Sequence, residues 1–249
     1  MAGRGACCVD ADFLPATYDG SSHLWRVGVY AAFVSATTMI ISVFGASGRS
    51  GRAFIAAASA AGFSLRLHYR SAPEDEAPPL ATVVVGALTD PTAVREVLRG
   101  AAAVVVLFGP RPKTRQVFTA KATKAIIDGM HAQGRTRLLC LTGAMIGDSA
   151  GNLSIPMRTL EFAIRRIGDD EQADDRSAQE RVVRGSKLQW TLVKPPRLTD
   201  SAEVTSVRAA KDLPVGLRSR MSRATLAQFL LKEITEPRYL QQAVYVEGA

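Results

Sequence analysis

The stretch that most limits what this chain can fold into is residues 39–51, MIISVFGASGRSG. Its apolar run, Ile40, Ile41, Val43 and Phe44, has the character of a strand buried on both faces. Gly45, Gly48 and Gly51 follow, and residues 52–61 then read as a helix. A strand that turns through closely spaced glycines into a helix gathers free backbone N–H groups and the positive end of a helix dipole at one point. Such a point suits a pyrophosphate. One glycine allows the tight turn, one admits phosphates to the backbone, and one lets helix and strand approach. The spacing is G-x-x-G-x-x-G rather than the common G-x-G-x-x-G, so taken alone the motif fits an ordinary glycine-rich turn too.

The surroundings supply a strand–helix alternation. Ser64–Tyr69 and Ala81–Val85 read as the second and third strands, separated by a Pro/Glu/Asp loop at 71–79, and Pro91–Leu98 as a short helix. Residues 102–108 (AAVVVLF) form an uncharged fourth strand, which implies a central one. A helix is predicted over 116–133, with Phe118, Ala122, Ala125, Ile126 and Met130 on one stripe and Lys121, Lys124 and Asp128 opposite. Residues 137–142 (RLLCLT) are the fifth strand. This order means parallel strands joined by right-handed crossovers, with the glycine loop where a dinucleotide fold needs it. Farther on, 156–167 and 174–185 read as helices, and 190–193 as a sixth strand stopped by Pro195 and Pro196. Ser222 is placed to cap a helix from Arg223 to Ile234 with Phe229, Leu230 and Ile234 inward, and 242–246 fits a last strand.

Residues 1–38 do not join this pattern. The first two dozen lack periodicity and read as disordered or loosely held, and folding is expected to begin near Met39. The uncharged stretch 27–44 donates its end to the first strand, and what is left is too short to cross a bilayer. Asp10, Asp12 and Asp19 precede it where a signal peptide would carry basic residues. Residues 25–33 could dock on a membrane or partner as a helix, but their apolar side chains do not keep to one stripe.

Composition removes several functional classes. Cys7, Cys8 and Cys140 form neither a disulfide framework nor a metal-ligand spacing with His23, His68 and His131, and a reducing cytoplasm is the simplest home. Residues 1–38 carry a net −1 (Arg4 and Arg26 against Asp10, Asp12 and Asp19), so the remainder carries +9 of the total +8. Those charges are dispersed, which fits a solvated basic surface or a field drawing in anionic ligands. No clustered footprint or module for nucleic acid is present in the sequence.

Beyond GASGRSG at 45–51, the chain carries LHYR at 67–70, VVVGALTD at 83–90 and VVVLFGPRP at 104–112. LLCLTGAMIG at 138–147, LQWTLVKPPRLTD at 188–200 and SRATLAQFLL at 222–231 complete the series. In this order and spacing, residues 39–246 resemble the atypical short-chain dehydrogenase/reductases of the NmrA-like and biliverdin reductase B/flavin reductase group. The resemblance implies NADP(H) bound at the carboxyl ends of the parallel strands, where the sheet order reverses. Gly45, Ser47, Gly48, Arg49, Ser50 and Gly51 would cradle the pyrophosphate. Arg70 would meet the 2′-phosphate of NADPH; a carboxylate, which serves NAD at that place, is missing from Tyr69 and Arg70. A solvated loop arginine is the alternative for Arg70.

Two departures from the family pattern stand out. Gly86 and Ala87 replace a Gly-Asp pair, leaving a backbone-only contact beside the adenine, and Thr142 and Gly143 replace a Thr-Ser pair. No Tyr-x-x-x-Lys occurs, which disfavours alcohol dehydrogenation or epimerisation by that route. Thr142 could bond the nicotinamide ribose or a substrate, or be a strand-end core residue. Gly109 and Arg111 follow the fourth strand, where Arg111 could meet an anionic substrate or a phosphate, or simply be solvated. Pro195 and Pro196 would wall the nicotinamide, or merely end a strand. Cys140 reads as core, and His68 is given no role.

The expectation is therefore an α/β, Rossmann-like doubly wound parallel sheet in one domain, 39–249, with a small C-terminal substrate-side portion. It would act as a cytoplasmic, monomeric NADPH-dependent reductase passing hydride to a flavin, quinone or tetrapyrrole. The alternative is a non-catalytic NmrA-like NADP(H) sensor.

Overall fold

The computed structural model describes residues 39–109, 117–149, 151–167 and 170–248; the extension at 1–38, with its segment 25–33, and Arg111 lie outside them. In chain order the strands are β1 (Ile40–Phe44), β2 (Ser64–Tyr69), β3 (Ala81–Val85), β4 (Ala101–Val106), β5 (Arg137–Leu141) and β6 (Gln189–Lys194). They continue with β7 (Arg197–Thr199), β8 (Val207–Ala210), β9 (Arg220–Ser222) and β10 (Gln242–Gly248). The helices are α1 (Arg49–Ala60), α2 (Pro91–Leu98), α3 (Thr119–Ala132), α4 (Ile155–Ile167), α5 (Asp170–Arg184) and α6 (Arg223–Thr235).

Eight strands form one sheet in the order β3-β2-β1-β4-β5-β6-β10-β8. All pairings are parallel except that of β8 with β10. The chain winds outward from β1 in both directions, so the order reverses between β1 and β4. In doubly wound sheets the region beyond the carboxyl ends of the strands at such a reversal is where ligands bind.

Two-residue alternation divides the core. Ile41, Val43, Ala103, Val105, Leu139 and Leu141 face the layer that contains α1 and α6. Phe44, Val104, Val106, Leu138 and Cys140 face the layer of α2, α3 and α5. Because both faces are covered, the central strands carry near-continuous apolar runs.

The expected Rossmann-like doubly wound sheet is thus the fold, and β7–β9 with β8 make up its small C-terminal portion. Element ends differ from expectation for local reasons. Helix α1 starts at Arg49, not at residue 52, because the extended Gly48 (φ −73°, ψ 159°) already serves as its N-cap and accepts from Arg52 N. Helix α3 starts at Thr119 rather than 116, and its buried stripe is Thr119, Ala122, Thr123, Ile126, Ile127 and Met130. Ala125 and Phe118 are only half-buried. The stripe is turned toward α5, whose Gln179 side-chain amide donates to Thr123 Oγ1 at 2.9 Å. Ser222 caps α6 as predicted, its Oγ accepting from Thr225 N.

Candidate cofactor site

The loop from β1 to α1 is built by steric exclusion. Gly45 has φ +95°, and a Cβ there would lie 2.6 Å from Phe108 N, since β4 runs on beside it with Leu107 N donating to Phe44 O. A Cβ on Gly51 would lie 2.1 Å from Gly45 O, so helix α1 sits directly on the loop. Gly48 is under less pressure: its φ is ordinary, and a Cβ would be 3.3 Å from Gly45 O. What Gly48 provides is an N-cap without a side-chain acceptor, ahead of a first turn with no acid. The N-terminal amides of α1, beyond the carboxyl end of β1, therefore receive no capping oxygen from a side chain of the cap residue.

The side chains nearby divide into engaged and unengaged. Arg49 NH1 pairs with Asp200 Oδ2 at 3.0 Å, and Asp200 Oδ1 accepts from Arg223 NH1 at 2.6 Å. This places a glycine-loop side chain against the segment after β7. Ser47 is exposed and Ser50 half-buried. Arg70 is exposed at the end of β2 and makes no ion pair among the described residues. After β3, Gly86 N donates to Tyr69 O at 3.0 Å, and a Cβ on Gly86 would be 2.5 Å from that of Ala93; Ala87 is exposed. His68, given no role by the sequence, is buried with Nε2 2.9 Å from Gly86 O and thereby ties β2 to that turn. Burial is the larger influence on its imidazole and lowers the pKa, against the raising effect of the Gly86 carbonyl.

Farther along the carboxyl ends of the strands, β5 and β6 terminate together. Thr142 N donates to Val193 O at 2.9 Å and Ala144 N to Pro195 O at 3.0 Å. Pro195 is buried and Pro196 half-buried. Thr142 is buried, and its hydroxyl donates to Glu180 Oε1 at 2.8 Å, so the hydroxyl proton is committed to α5. A Cβ on Gly143 meets Ile146 only at 3.7 Å and Arg176 only at 3.9 Å, and one on Gly109 meets nothing within 4 Å. Neither position demands glycine for space.

Beneath Thr142 lies a polar cluster that sequence reasoning missed. Lys194 and Glu180 are buried with Nζ 3.0 Å from Oε1; Nζ also donates to the Ile146 carbonyl and lies 5.2 Å above the Tyr245 ring. Arg176 NH2 donates to Thr142 O at 2.6 Å. Asp175 is buried and receives the N–H groups of Phe118, Thr119 and Ala120 together with the Thr119 hydroxyl, capping α3 from another helix. Burial, with Glu180 adding, pushes the Cys140 thiol up to about 12, so it stays protonated core, as the strand pattern predicted. The missed signal was α5 itself. Only Ala173, Ala178, Val182 and Val183 are apolar in its 15 residues, too few to cover the face it packs on α3.

Among the described residues no helix is long and apolar enough to cross a membrane, and no group of His, Cys, Asp and Glu could hold a metal ion.

A parallel doubly wound sheet with an uncapped glycine-loop helix at its switch point defines a dinucleotide-binding protein. The NAD(P)H-binding family model matches residues 45–237. The chain belongs to this NAD(P)H-binding family. Solved structures share the fold at low identity. A wide-type short-chain dehydrogenase/reductase from Veillonella parvula in complex with NADP is 15% identical, with a TM-score of 0.68 over 84% of this chain and 94% of that one. ChuY, an anaerobillin reductase from Escherichia coli, is 20% identical, with a TM-score of 0.68 over 84% and 97%. An oxidoreductase from Lactococcus lactis is 12% identical, with a TM-score of 0.70 over 85% and 91%. The NAD(P)H-binding family and the Rossmann-like fold that the sequence resemblance implied are thus both found.

Proposed function

We propose that this protein is an NADPH-dependent reductase that delivers hydride to a conjugated acceptor such as a flavin, a quinone or a linear tetrapyrrole. The observation that carries the reading is the pairing of an acid-free, uncapped α1 N-terminus with an exposed Arg70 at the end of β2 that makes no ion pair among the described residues. Three phosphates in two places need those two features. Backbone amides from residues 46 to 51 would hold the pyrophosphate, with Gly45 and Gly51 keeping the loop tight. Arg70 would hold the 2′-phosphate through charge-assisted hydrogen bonds, and the backbone at Gly86 and Ala87 would flank the adenine. Thr142, Gly143, Pro195 and Pro196 would line the nicotinamide end. Bound there, NADPH supplies the hydride.

The contribution of the chain is then positioning, because a conjugated acceptor can take its proton from water once hydride has arrived. The Glu180–Lys194 pair anchors the two strand ends that would flank the reacting atoms. The buried Cys140 thiol suits a reducing cytoplasm.

A second reading is an NADP(H) sensor without turnover. It is favoured by Gly143, which has no side chain, and by the commitment of the Thr142 hydroxyl proton to Glu180, so neither residue offers a proton at the strand end. Loss of NADPH absorbance in the presence of FMN, FAD, a quinone or biliverdin is the expected result for the reductase. Saturable NADP(H) binding with no turnover of any of them would favour the sensor. The absence of binding would defeat both.

A further inference from the structure

Arg176 is a cation bordering the end of β5 whose guanidinium the described residues do not use up. It makes one hydrogen bond among the described residues, from NH2 to Thr142 O at 2.6 Å, and its buried Nε has no partner. A Cβ on Gly143 would lie 3.9 Å from its NH2 and 4.0 Å from its NH1, so the guanidinium borders the strand end at a position whose residue has no side chain. Two carboxylates, Asp175 and Glu180, act on it electrostatically, and both are engaged elsewhere. Asp175 is held by the N-terminus of α3, and Glu180 by Lys194 and Thr142. Burying a guanidinium and leaving donors over is a poor solution for packing alone. It is a good one for a planar oxygen-bearing ligand at the carboxyl ends of β5 and β6.

We propose that Arg176 receives the carbonyl oxygen of the acceptor, the atom on which negative charge collects as hydride arrives. The proposal rests on the reductase reading above. In the reaction the acceptor gains hydride from the reduced nicotinamide at its electrophilic carbon or nitrogen. The π electrons of the conjugated C=O move onto oxygen, water then supplies the proton, and the nicotinamide is left oxidised. A guanidinium fixed by Thr142 O and aimed at that oxygen stabilises the charge as it develops. The substrate class follows: compounds in which an oxygen is conjugated with the atom that takes the hydride.

The probe is 4-nitrophenol, whose phenolate places a full negative charge on a conjugated oxygen and is read by its visible band. Titrated against pH in the NADP+-saturated full chain, it should ionise about one pH unit lower than in buffer. Arg176→Met should abolish that shift at unchanged NADP+ affinity, and Arg176→Lys should keep only part of it, since a lysine lacks the fork that holds two oxygens at once. A shift as large in either variant as in the wild type overturns the assignment, and the lysine variant decides if the methionine variant fails to fold. Wild-type protein that binds NADP+ but leaves the phenolate unshifted overturns this assignment alone. Wild-type protein that does not bind NADP+ overturns the reductase reading, and this proposal with it.

Discussion

Lys194 Nζ lies 3.0 Å from Glu180 Oε1, and the two side chains are 0% and 3% exposed. Through Glu180 the ammonium is linked to the Thr142 hydroxyl, so one buried pair joins the ends of β5 and β6 to α5. Burial lowers the pKa of Lys194 more strongly than Glu180 raises it, so the pair is held by geometry as much as by charge. Lys194→Met takes away the buried cation nearest Glu180, leaving Arg184 NH2 at 3.8 Å, and should destabilise the fold by about 3–5 kcal/mol. The double variant Lys194→Met, Glu180→Leu should recover most of that loss, because removing both charges restores consistency. Urea denaturation of wild type, both single variants and the double variant measures the coupling. A single variant as stable as wild type would mean that the pair is not buried as described.

The glycines of the β1–α1 loop separate in the same kind of test. Gly51→Ala drives a methyl group to 2.1 Å from Gly45 O, a backbone atom that cannot step aside without moving the loop. Gly48→Ala asks for a few tenths of an ångström at 3.3 Å, with φ already suited to alanine. Gly48→Ala should stay folded within about 1 kcal/mol of wild type. Gly51→Ala should lose both saturable NADPH binding and thermal stability. Fluorescence titration with NADPH and a melting curve on each protein distinguish the two, and equal behaviour would contradict the loop geometry.

What the sequence discloses is what is written locally. The strand, the three glycines and the helix of 39–60 share one contiguous stretch, and their period and residue types state the turn before any fold exists. The same holds for Ser222, whose capping oxygen bonds an amide three residues on. The cluster of Thr142, Arg176, Glu180 and Lys194 is hidden for the opposite reason. Its members come from β5, α5 and β6, and meet only after the sheet has assembled. Lys194 reads as a strand end beside two prolines, yet it is fully buried because β10 and Tyr245 cover it. Strands β7, β8 and β9 hold three, four and three residues, too few to show a period.

His68 gives a pH signature. Its imidazole is held neutral in the fold by burial, with a pKa below the ordinary 6.5. Between the lowered value and 6.5 the unfolded chain binds more protons than the folded one, so stability falls as pH drops through that window. The slope from one such group is at most about 1.4 kcal/mol per pH unit. His68→Gln keeps a donor for the Gly86 carbonyl and removes the titration. The urea midpoint of the variant should fall less than that of wild type between about pH 7 and pH 5. Parallel pH profiles would mean that His68 is as basic in the fold as in the unfolded chain.

On the proposed reading, Arg70 sets the preference for NADPH over NADH. It is exposed at the end of β2 and makes no ion pair among the described residues, so its removal costs the fold little. A charge-assisted hydrogen bond to a 2′-phosphate contributes about 1.5–3 kcal/mol, equivalent to roughly 10- to 100-fold in affinity. NADH lacks that phosphate, so nothing is lost there. Arg70→Ala should therefore weaken NADPH binding by that factor at unchanged NADH affinity, and high salt should narrow the difference between the two cofactors in the wild type. Arg70→Asp should go further, since a carboxylate repels the 2′-phosphate while accepting from the ribose 2′-OH of NADH. Titration of each protein with both nucleotides reads the outcome directly. Unaltered NADPH affinity in the alanine variant would move the 2′-phosphate contact to another cation and remove Arg70 from the site.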